Sequence, residues 1–150
     1  MVIKIGKAIL VGILALLWVC GDAAWGHPDE VGTLTIHHAY AEPARRGDDT
    51  LVRLAIENNG ASMRQFMGLH IDVAEASQIE VKVEAERFVP ITSIAIPPGE
   101  LLDLRDGARI RLLALNRTLI AGESLEALLD FADGREKRIQ VLVGQGKAGH

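Results

Sequence analysis

Three features of the chain predict an all-β fold: short runs in which apolar and polar residues alternate, turn signals between them at close intervals, and no convincing amphipathic helical stretch. Strands at this spacing imply an antiparallel sandwich or barrel. No internal repeat, low-complexity tract or internal linker divides the chain, so one domain is expected.

The first alternating run is 33–40, with Leu34, Ile36, His38 and Tyr40 on one face and Thr33, Thr35 and His37 on the other. In 52–57 the inward set is Val52, Leu54 and Ile56. In 79–84 it is Ile79, Val81 and Val83, with Glu80, Lys82 and Glu84 opposite. Later runs occupy 110–115, 125–131 and 138–143. The breaks fall at Asn58-Asn59-Gly60, Pro97-Pro98-Gly99, Asp106-Gly107, Ala121-Gly122 and Asp133-Gly134. The last separates two alternating runs and reads as a hairpin turn. Residues 45–49 form a polar loop, and 144–150 a flexible tail. Leu34, Ile36, Leu54, Ile56, Val81, Leu112, Leu129, Val141 and Val143 are the expected core.

The N-terminus has the order of a secretory signal: Lys4 and Lys7, the apolar run 8–19 interrupted by Gly12, then Gly21, Asp22, Ala23 and Ala24. The run is short for a bilayer span, so no stable membrane span is expected after cleavage. Cutting after Ala23 places Gly21 at the −3 position; cutting after Gly26 makes His27 the new N-terminus. Lipidation at Cys20 is the other reading, against which Trp18 and Val19 stand where small residues are wanted. The expected organisation is a signal peptide at 1–26 and one domain at 27–150, exported to the periplasm.

Losing Lys4, Lys7 and Asp22 moves the formal net charge from −4 to −5. An acidic chain lacks the basic footprint that nucleic acid requires. Cys20 is the only cysteine, so the exported form has neither disulfide nor thiolate, and soft-metal chemistry falls to Met and His. Ser62, Ser77, Ser93 and Ser124 lie in no nucleophile elbow, and neither a His-Glu-x-x-His pattern nor a phosphate-cradling glycine loop occurs. An enzyme is not expected.

Ala39-Tyr40, the run 56–60 (Ile-Glu-Asn-Asn-Gly), Ile96-Pro97-Pro98-Gly99 and the run 115–123 ending in Gly122-Glu123 occur in the order seen in the periplasmic copper chaperones of the PCuAC type, which the chain resembles over nearly its whole exported length. The resemblance implies a cupredoxin-like antiparallel β-sandwich that hands Cu(I) to an acceptor, such as a cytochrome oxidase subunit or assembly factor. The family's His, Met and His-x-Met ligands fall on Lys82, on Val89 or its neighbour Phe88, and on Arg109 and Arg111. None of the four is kept. Arg109 and Arg111 project from one strand face. With Lys82 about 6 Å away, each like-charged pair would cost on the order of 3 kcal/mol. Either Glu80, Glu84 and Glu86 neutralise these cations, or they form a face for anions or an acidic partner.

His27, His37, His38, Met63, Met67 and His70 are the remaining candidate copper ligands. An N-terminal His27 could offer its amino group and imidazole to Cu(II), with His37 nearby. Against this, His38 on the apolar face reads as a satisfied core histidine. Met67 and His70 would point to opposite sides of a strand, and methionine commonly fills gaps in a core. The sequence therefore leads to an exported copper-handling protein with a degenerate or relocated site. The alternative is a metal-free interaction module that binds an acidic partner through the Lys82, Arg109 and Arg111 face.

Overall fold

The structure, a computed structural model, describes residues 33–144. The predicted signal peptide at 1–26, His27 and the tail beyond Gly144 lie outside the described residues. Ten strands follow in order: β1 (Leu34–Ala41), β2 (Thr50–Asn58), β3 (Arg64–His70), β4 (Ala74–Glu84), β5 (Arg87–Ile91), β6 (Ile94–Ile96), β7 (Leu101–Asp103), β8 (Ala108–Leu115), β9 (Ser124–Phe131) and β10 (Glu136–Val143). No α-helix occurs among the described residues. The all-β expectation holds.

The strands form one ladder in the order β5-β4-β8-β2-β1-β10-β9-β3-β6, with β7 paired to β2. Every pairing is antiparallel except β1 with β10, which is parallel and joins only Tyr40–Ala41 to Leu142–Val143. That brief contact is the crease of the sandwich. Beside it β1 carries an irregularity between His37 and Tyr40, where His38 takes φ 50°. Extra residues of this kind bend a strand and increase its twist.

The core fills from both halves. Val52, Leu54 and Ile56 of β2 and Ile110 and Leu112 of β8 meet Phe66 of β3, Leu129 of β9 and Val141 of β10, all essentially without solvent contact. The rings of Phe66 and Phe131 lie 5.8 Å apart at 57°, a tilted aromatic pair. Of the expected core, Ile36 and Val81 are half-buried against it and the others are buried. Val83 is exposed, because β8 pairs with β4 only as far as Val81↔Ala108 and β4 runs on with β5 as a projecting hairpin.

Asn58 is fully buried, yet its side-chain amide donates to the carbonyls of Ser62 and Ile96 while its Oδ1 accepts from Gly60 N. These bonds fix the 58–60 turn; a Cβ on Gly60 would stand 2.8 Å from Thr33 Oγ1. Buried Arg64 pairs with Asp133 at 3.1 Å, holding β3 to the β9–β10 turn, where Gly134 takes φ 83° as the predicted hairpin requires.

Candidate functional site

Two places collect chemistry-bearing side chains: the outer face of β4, β5 and β8, and the outer face of β3. On the first, Glu80 of β4 lies directly opposite Arg109 of β8, and Gln78 opposite Arg111. Glu80 takes an outward position between inward Ile79 and half-buried Val81, yet only 4% of its side chain is accessible. Arg109 Nε donates to Glu80 Oε2 at 2.6 Å, Gln78 Nε2 donates to Oε1 at 2.7 Å, and Arg111 Nη1 lies 3.6 Å from Oε1. Arg111 also reaches Asp49 Oδ2 at 3.0 Å, while Asp49 Oδ1 accepts from Ala114 N.

Phe88 of β5 closes the group. Its ring carries the Arg109 guanidinium at 3.7 Å from the centroid and has Lys82 Nζ at 5.9 Å. An aromatic face attracts both cations. Burial alone would push the Glu80 carboxyl up, but hydrogen bonds from Arg109 and Gln78 and the charges of both arginines outweigh it, holding Glu80 below the usual carboxylate range. The backbone bond from Ala114, aided by Arg111, lowers Asp49 likewise.

The expected repulsion between Arg109 and Arg111 is therefore offset by the carboxylate that both reach. A buried carboxylate sits between the arginines and an aromatic ring lies beside Lys82. Of the three carboxylates expected to neutralise them, Glu80 does so; Glu84 and Glu86 are exposed on the β4–β5 hairpin. Val89 pairs with Val81. Beside Arg109 and Arg111 lies an open cleft of about 600 Å³, bordered also by Glu42, Arg45, Asp48 and Asp49, and so of mixed charge. Sequence reading missed Asp49 as a member of this group, since it comes from another segment, and named Phe88 as a lost ligand position without its role as a platform for Arg109.

On the second face, a register irregularity between Phe66 and Gly68 inserts Met67 as an extra residue. Phe66 and Leu69 point into the core, while Met67 and His70 are both exposed. The expectation that Met67 and His70 face opposite ways fails for this reason: one extra residue resets the alternation. Met63, just before β3, is 59% exposed and Met67 44%. His70 Nε2 lies 3.6 Å from Asp72.

His37 and His38 lie apart from both faces' centres. His37 Nε2 is 3.0 Å from Glu57 Oε2, and its ring centroid is 6.4 Å from that of His38. His38 is exposed, not a core histidine, because the irregularity in β1 turns it outward into the open groove between the diverging β1 and β10. No group of three or more His, Cys, Asp or Glu side chains placed to hold a metal occurs among the described residues. No helix there is long and apolar enough to cross a membrane.

Several solved structures share this fold. The copper-bound PCuAC domain from PmoF2 superposes with a TM-score of 0.64 at 17% identity, covering 75% of this chain and 92% of that one. The apo PCuAC domain from PmoF1 gives 0.63 at 22%, covering 75% and 94%. The solution structure of CuI-DR1885 from Deinococcus radiodurans gives 0.55 at 20%, covering 87% of each. At such identities the likeness concerns the fold. No curated protein sequence matches the chain. The profile of the LpqE-like lipoproteins matches residues 34–143, most of the chain and every strand from Leu34 to Val143, and the protein belongs to the LpqE-like family.

Proposed function

We propose that this is an extracytoplasmic, non-catalytic copper-handling protein whose soft ligands lie away from the β4–β8 face. One observation carries the reading: Met63, just before β3, and Met67, within it, are both on the surface. Methionine that fills a core gap is buried. Two exposed thioethers, one before β3 and one on it, together with the exposed imidazole of His70 on the same strand, offer donors that suit Cu(I). The shared fold with a copper-bound domain and a Cu(I)-loaded protein supports the same reading, and the signal-like N-terminus and lipoprotein family support export to the periplasm.

The β4–β8 face does not fit copper. Arginine and lysine present donors only, and Glu80 has its oxygens committed to Arg109, Arg111 and Gln78. The same pairing removes Arg109 and Arg111 as free cations for an acidic partner, which weakens the interaction-module alternative. Copper would be cargo, passed by ligand exchange to an acceptor protein such as a cytochrome oxidase subunit or assembly factor. The test is the metal content of protein isolated from the periplasm, together with titration by Cu(I) and Cu(II). A copper-loaded or copper-avid protein is expected; a protein recovered from the cytoplasm, or indifferent to both ions, overturns the proposal.

A further inference from the structure

We infer that Met67 and His70 together form the Cu(I) site, a step that rests on the copper-handling reading and names its ligands. The extra residue at Met67 is the structural reason. In a regular strand these two positions would alternate, whereas here Leu69 alone turns inward between them and both side chains stand on the solvent side of β3. Three residues of extended chain separate their Cα atoms by at most about 10 Å, and the long, unbranched Met side chain closes such a gap readily.

The donors are one thioether and one imidazole, a soft and borderline pair that favours Cu(I) over oxygen-seeking cations. Asp72 beside the His70 ring and Asp130 opposite Gly68 on β9 add negative charge near a bound cation. Two protein ligands leave the ion's remaining position open on the surface, where an acceptor's ligand can enter before the first bond breaks. Met63 is a poorer partner: four residues before Met67, it lies up to about 13 Å away along the chain.

The purified protein is titrated anaerobically with Cu(I) against bicinchoninate, and the Met67 methyl resonance is followed by 13C NMR. A single Cu(I) is expected, shifting that resonance. Met67→Leu and His70→Gln should each weaken binding by at least about tenfold, the double variant should abolish it, and Met63→Leu should leave it unchanged. Because all three side chains face solvent, the variants keep the fold. If the double variant binds as tightly as wild type, or if His27→Ala is what removes copper, this assignment is overturned while the copper-handling reading stands. If wild type binds no Cu(I), the site is overturned and the proposed function loses its support with it.

Discussion

Glu80 is the residue on which the outer face of β4 and β8 turns. Its carboxylate is 4% accessible and faces Arg109 and Arg111, whose side chains are 24% and 39% accessible. Removing one partner of a buried ion pair leaves the other uncompensated, so Glu80→Ala should cost about 3 kcal/mol of unfolding free energy by urea titration. The sign with pH follows from the lowered carboxyl. Its contribution is complete above the ordinary carboxylate value of 4.5 and is lost as pH falls below that value through the folded-state one. Wild-type stability should therefore decline with acid below about pH 4.5 more steeply than that of Glu80→Ala. Equal slopes would contradict the pairing. The sequence showed Glu80 only as one outward carboxylate among three; the register Glu80↔Arg109 singles it out, and register is a long-range property.

At the scale of the element, the irregular strands decide what the surface offers. Period-two reading placed β2, β9 and β10 well because their inward residues keep the alternation through the core, as Val52, Leu54 and Ile56 do. It failed in β1, in β3 and at Val83 of β4, where extra residues leave no mark in the polarity pattern. In β1 and β3 the backbone signatures are His38 at φ 50° and Gly68 at φ 143°. Gly68 has open space where a Cβ would go, so only the backbone conformation opposes a side chain there. Gly68→Ala should destabilise the protein by about 1–2 kcal/mol in urea denaturation. A neutral outcome would mean that the irregularity in β3 relaxes without cost, and with it the placement of Met67 beside His70.

Across the whole molecule, one sandwich carries two different surfaces: an ion-paired face on β4 and β8, and a thioether–imidazole face on β3. The fold class was legible because strand period and turn residues are local. The arrangement of the candidate ligands was not: Met67 and His70 could be named from sequence, but whether they share a side of β3 depends on the extra residue in that strand. The resemblance to copper chaperones pointed to Lys82, Val89, Arg109 and Arg111; of these, Arg109 and Arg111 are salt-linked to Glu80, and Arg109 and Lys82 lie against the Phe88 ring. The account's central claim is that copper is carried away from this cluster. Its most direct test is anaerobic Cu(I) titration of the Arg109→Ala, Arg111→Ala double variant beside wild type. The account predicts a single Cu(I) bound with the same affinity by both proteins; loss of that ion from the double variant would contradict it.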